Sequence, residues 1–135
     1  MTEWIEFHLL VGFDHIYIYD NSKANDPNST LAPITDLFPA DRVTRIDWPC
    51  KICNNYKPAY FDPGERSSQY AAETSCLNRY GPHTEWLASI DIDEYLAPMN
   101  GHKNLKEIIH KADNEKVKVL TFGSVRAKLR ADATR

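Results

Sequence analysis

Asp91-Ile92-Asp93-Glu94 places three carboxylates within four residues, directly after the apolar run Trp86-Leu87-Ala88-Ser89-Ile90. If strand geometry continues through them, side chains alternate, and Asp91 and Asp93 share one face while Ile90 and Ile92 take the other. Glu94 is then directed away from the shared acidic face. Two like charges this close raise one another's pKa unless a cation or an array of hydrogen-bond donors compensates. A divalent metal is the economical solution. An all-oxygen donor set selects a hard ion, Mg2+ or Mn2+, which keeps several waters and bridges to substrate phosphates. Such an ion can neutralise the charge that develops on a departing diphosphate. The same acids also suit a solvated strand end or a helix N-cap; their position after an apolar strand favours the metal. A further acid, Asp20, ends the run Ile16-Tyr17-Ile18-Tyr19. On the same edge of a parallel sheet it can hydrogen-bond a ribose or base, or serve as a turn former.

Other chemistry-bearing residues give weaker patterns. Cys50 and Cys53 have CxxC spacing, but a redox pair needs a helix N-terminus and a structural zinc needs two more ligands. Cys76 falls within a helix and could pair with one of them in an oxidising compartment; unpaired thiols are the simpler reading. Asn28-Ser29-Thr30 forms a glycosylation sequon in a loop. His8 and His15 lie in apolar settings that suit satisfied core or cap histidines, and His83, His102 and His110 have no metal-ligand spacing.

The elements that must position these residues alternate in type. Residues 3–11 read as a mostly buried helix with Thr2 as N-cap and Gly12 as stop, followed by a strand over residues 14–20 and a loop over residues 21–33. A second strand is expected over residues 42–48, then an irregular Pro/Gly-containing stretch over residues 49–65. Residues 67–80 read as a helix whose small face (Ala71, Ala72, Thr74, Ser75, with Leu77) suits close packing on a sheet, ended by Gly81-Pro82. Residues 85–92 read as a buried strand, residues 104–112 as a helix and residues 117–122 as a last strand. The expected fold class is α/β: an open, mostly parallel, Rossmann-like sheet with flanking helices and its ligand site at the carboxyl ends of the strands.

The 135 residues are 42% hydrophobic and 26% charged, the profile of a single globular domain. Sixteen Lys plus Arg against nineteen Asp plus Glu give a net charge of -3, which argues against a nucleic-acid partner. No apolar run approaches the roughly 18 residues of a membrane span, and the start lacks signal-peptide features. Any membrane anchor would lie outside these residues. The domain is read as residues 1–124, with residues 125–135 a tail.

The segments EWIEFHLLVGFDHIYIYDNS, RIDWP, SSQYAAETSCLNRYG and EWLASIDIDEYLAP, in that order, resemble the family 92 glycosyltransferases and the similar family 2-like glycosyltransferases over residues 3–124. The resemblance implies a GT-A fold, in which a nucleotide-sugar domain holds Mn2+ (or Mg2+) against the donor diphosphate through a DxD motif. Carried onto this chain, Asp91 and Asp93 are that pair, Asp93 the more direct metal ligand and Asp91 nearer the ribose and metal. Asp20 and Asn21 would contact the nucleotide. It further implies transfer of galactose from a UDP-sugar to a glycan acceptor with inversion, in a Golgi lumen reached through a type II membrane anchor. Such domains open with a strand before the helix matching residues 3–11, and acceptor segments with a catalytic base follow the Phe122-Gly123-Ser124 match. The chain is accordingly expected to be the central, donor-binding part of the fold, with the base unassigned. Two other readings use the same residues. One is a haloacid dehalogenase-like phosphatase, although Glu94-Tyr95 stands where that pattern has Gly then Thr or Val. The other is a non-catalytic, truncated domain that binds a nucleotide-sugar.

Overall fold

A computed structural model describes residues 1–24, 26–49 and 65–125. Cys50, Cys53, most of the stretch expected to be irregular, and residues 126–135 of the tail lie outside the described residues. The elements run α1 (Thr2–Leu10), β1 (Ile16–Asp20), α2 (Ala32–Thr35), β2 (Val43–Asp47), α3 (Glu65–Tyr80) and α4 (Leu105–Asn114), with single 3-10 turns at Ser22–Ala24 and Gly81–His83. The described part is α/β, with a two-stranded parallel sheet flanked by helices. That is consistent with an incomplete Rossmann-like domain.

The sheet is amphipathic in register. Ile16 pairs with Val43, Ile18 with Arg45 and Asp20 with Asp47, so these side chains share one face. Trp4 and Ile5 of α1 close over that face, forming a core with Ile16, Ile18 and Val43 to which Leu31, Ile34, Phe38 and Ile90 add partly buried area. The opposite face carries Tyr17 and Tyr19. Here α3 packs: Tyr80 stacks on Tyr17 with centroids 3.7 Å apart, and the Tyr19 hydroxyl donates to Ser75 Oγ at 3.1 Å.

At the end of α1 the backbone reverses at Gly12, whose φ is +118°, a region strained for any residue with a Cβ. A Cβ there would also stand 2.3 Å from Asn104 Oδ1. That close approach seats α4 on the end of α1. Asn104 caps α4 by accepting from Lys106 N at 2.8 Å, and Leu105 N donates to the Val11 carbonyl at 2.9 Å.

Several expectations change. Thr2 is the first residue of α1, and its N-cap is Met1 with no side-chain hydrogen bond. The loop expected over residues 21–33 contains the start of the short helix α2, with Pro33 in its first turn, where a missing N–H costs nothing. In α3, Thr74 and Leu77 point to solvent and Ser68 is buried instead. Residues 85–92 form no strand, and Leu87 and Ile92 are exposed. Residues 117–122 likewise form none, with Val119 and Phe122 exposed. A strand exists only where a neighbour completes its ladder. The apolar residues of both segments are present, but among the described residues their backbone bonds are local turns, Asp91 with Glu94 and Val117 with Ala112, and no second strand pairs with them.

Candidate functional site

In place of a ladder, residues 84–96 are held by side chains of three helices. Trp86 Nε1 donates to Asp113 Oδ1 of α4 at 2.9 Å. Ser89 Oγ donates to Glu73 Oε1 of α3 at 3.1 Å, and Gln69 Nε2, one helical turn earlier, donates to Asp91 Oδ1 at 3.0 Å. Trp4 and His8 of α1 bond the backbone of Glu94 and Leu96. Ile90 reaches the core between these attachments.

The backbone turns at the acids. Glu94 N donates to the Asp91 carbonyl at 3.0 Å, closing a turn over residues 91–94. Strand alternation therefore does not continue through Asp91 and Asp93, and the shared face expected for them is replaced by a turn that presents both to solvent. Among the described residues neither forms an ion pair with Lys or Arg. No group of three His, Cys, Asp or Glu side chains with metal-binding geometry occurs among the described residues either. Two exposed carboxylates at one turn fit a hydrated hard cation that takes its remaining ligands from water and phosphate. They do not make a closed protein cage.

Asp20 serves the fold directly. It is fully buried, with both oxygens engaged: Oδ1 accepts from Ser22 N at 3.1 Å and Ser22 Oγ at 2.6 Å, and Oδ2 accepts from Leu31 N at 2.8 Å and Arg45 Nη1 at 3.2 Å. Burial pushes its pKa up, but the bonds from Leu31, Ser22 and Arg45 outweigh that and hold it below the usual carboxylate value. The carboxylate thereby fixes the loop that begins at Asn21. Asn21 Nδ2 in turn donates to Ser68 Oγ of α3 at 3.4 Å.

Ser68 and Gln69 are consecutive. The same turn of α3 therefore bonds Asn21 at the carboxyl end of β1 through Ser68 and Asp91 at the acidic turn through Gln69, so one helical turn links two expected site residues. Asp93 lies two residues from Asp91 in the same turn. Ser68, Gln69 and Glu73 were not singled out from sequence. The available signal was the i, i+4 spacing of Gln69 and Glu73 on a helix whose small residues already pointed to close sheet packing.

The histidine and cysteine readings resolve individually. His8 is a fully buried, bonded core histidine, and burial lowers its pKa. His15 bonds the Asp41 carbonyl and Thr44 Oγ1, each at 2.9 Å. Among the described residues Cys76 is a free, half-buried thiol, and burial pushes its pKa up, keeping it protonated. Asn28 of the sequon is exposed. Among the described residues no helix is long and apolar enough to cross a membrane.

Comparison with known proteins bears on this geometry. A glycosyltransferase family 92 protein of Ricinus communis is 25% identical over 114 residues, covering 84% of this chain and 17% of that protein. A family 92 protein of Oryza sativa subsp. japonica is 27% identical over 111 residues, covering 81% of this chain and 16% of its own. The chain thus spans about one sixth of the length of these curated relatives. No solved structure matches. The model of glycosyltransferase family 92 matches residues 1–133, and the chain belongs to that family.

Proposed function

We propose that this chain is the donor-binding part of a metal-dependent glycosyltransferase of GT-A type. The donor is a UDP-hexose, with galactose the leading choice, and the acceptor is a glycan or glycoconjugate reached with inversion. Asp93 is assigned as the direct ligand of Mn2+ or Mg2+, and Asp91 as its neighbour toward metal and ribose. Asn21, held by the Asp20-anchored loop, lies on the nucleotide side. When bound, the ion supplies charge neutralisation for the departing diphosphate. The chain's own residues do the rest: Gln69 orients Asp91, Ser68 orients Asn21, and Asp20 fixes the loop between them. In the longer protein, the Golgi lumen and a type II anchor complete this reading.

The single observation that supports it best is the meeting of Asn21 and Asp91 on adjacent residues of α3, in a chain of a glycosyltransferase family. Nucleotide and metal would then be read side by side, as a nucleotide diphosphate requires. Family membership leaves the phosphatase reading without support. The test is thermal unfolding of the 135-residue chain with millimolar Mn2+, UDP or both. Because a ligand bound only by the native state raises Tm by mass action, Mn2+ and UDP together should raise it more than either alone. The gain should vanish in Asp93→Ala. An equal shift in Asp93→Ala, or none in the wild type, sinks the proposal. Binding without transfer or donor hydrolysis across an acceptor panel would instead favour a non-catalytic donor-binding domain.

A further inference from the structure

Helix α1 meets the backbone beyond the acidic turn through two side chains one helical turn apart. Trp4 Nε1 donates to the Glu94 carbonyl at 2.7 Å, and Leu96 N donates to His8 Nε2 at 3.2 Å. A carbonyl and an N–H two residues apart are what a neighbouring strand would bond along one edge of an extended chain. Here an indole and an imidazole supply the donor and the acceptor. The tautomer of His8 follows from its other bond: Nδ1 lies 2.8 Å from the Trp4 carbonyl, which can only accept, so Nδ1 carries the proton and Nε2 accepts. Aromatic rings enclose this attachment. Tyr95 lies nearly parallel to His8 at 5.8 Å and edge-on to Phe7 at 5.1 Å, and Phe13 meets His8 edge-on at 5.4 Å.

The Glu94 peptide is the shared part. Its N–H closes the turn on Asp91, and its carbonyl is held by Trp4. We propose that Trp4 and His8 are positioning residues for the cation site, fixing residues 94–96 and, through the turn, the placement of Asp91 and Asp93. This rests on the assignment of those two carboxylates as cation ligands. A pure packing role needs only the shape of the two rings. Positioning needs an N–H at Trp4 and an acceptor where His8 Nε2 stands.

The experiment is a Mn2+ titration of the 135-residue chain, followed by the electron paramagnetic resonance signal of unbound Mn2+, in wild type, W4F, H8L and H8Q. Each loss of a hydrogen bond should raise the Kd for Mn2+ roughly fivefold, the equivalent of about 1 kcal/mol. H8Q, whose amide oxygen can accept from Leu96 N, should return to within about twofold of wild type. The Leu96 amide resonance should move in H8L and recover in H8Q. Unchanged affinity in W4F and H8L while the wild type binds overturns this proposal alone, as does an H8L loss that H8Q does not rescue. A wild type that binds no Mn2+ overturns the cation assignment itself, and positioning falls with it. Should H8L fail to fold, W4F, which keeps an aromatic ring in place, carries the comparison.

Discussion

Asp20→Asn is the substitution whose cost the structure defines most closely. The side chain is fully buried, so its new amide cannot turn to water, and it keeps the shape of the carboxylate while converting one acceptor into a donor. Placed toward Leu31 N and Arg45, the amide nitrogen would oppose two donors. Placed toward Ser22, it can be met by a rotated Ser22 hydroxyl, but Ser22 N then loses its acceptor. The second arrangement is cheaper. One buried N–H left unbonded costs about 1–3 kcal/mol, and replacing a charge-assisted bond to Arg45 by a neutral one costs about 1 kcal/mol more. Arg45 is only partly buried and retains some access to solvent, which keeps that second figure small. The expected destabilisation is therefore about 2–4 kcal/mol, a large share of the roughly 5–15 kcal/mol of a typical domain.

Urea unfolding of both proteins, followed by circular dichroism, measures it. The pH dependence adds a sign. Because the folded-state pKa of Asp20 is depressed, its contribution is complete above the unfolded value near 4 and is lost as pH falls through the folded value. The gap between wild type and Asp20→Asn should be full at neutral pH and shrink on acidification below about pH 4. A gap under about 0.5 kcal/mol at pH 7, or one that persists unchanged in acid, would refute the view that an ionised Asp20 anchors this loop.

Two further outcomes follow from the packing. Gly12→Ala should destabilise by about 2–4 kcal/mol, from backbone strain at positive φ plus displacement of the Asn104 cap, while Asn104→Ala alone should cost about 1 kcal/mol; denaturant unfolding that ranks them the other way contradicts the seating of α4. His8 has a folded-state pKa lowered mainly by burial, so the stability it confers is complete above the unfolded value near 6.5 and lost as pH falls through the folded one. The protection factor of the Leu96 amide, its intrinsic over its observed exchange rate, should fall over that descent in wild type and not in His8→Gln; a flat wild-type protection profile would remove His8 Nε2 as the acceptor.

The parts of this molecule legible from sequence are those whose signal is local. The dense apolar residues of α1, the strands β1 and β2, the small-residue helix α3 and the helix α4 were all readable, within a residue or two at their ends, although Asn104, read as the first residue of α4, is its cap. The run before Asp91 carries the same apolar signal, yet a ladder partner is a nonlocal fact that no window of ten residues contains. The anchoring role of Asp20 was hidden for a similar reason. An acid at a strand end looks like a turn former whether its partners are the next residues or, as here, Leu31 and Arg45. The acids at 91 and 93 were visible as types and spacing, whereas the turn that presents them, and the Gln69 that orients one of them, required coordinates. The resemblance to family 92, by contrast, is carried by four ordered segments of the sequence, and the family match over residues 1–133 agrees with it.

The most direct test of the account is a calorimetric titration of UDP into the 135-residue chain, with and without Mn2+, in wild type and Asp93→Ala. UDP should bind the wild type at least tenfold more tightly with Mn2+ present, the equivalent of about 1.4 kcal/mol of metal-mediated contact. Asp93→Ala should show the same weak affinity under both conditions. Equal affinity of the wild type with and without Mn2+, or an undiminished Mn2+ effect in Asp93→Ala, would contradict the assignment of the acidic turn as the site where metal and nucleotide meet.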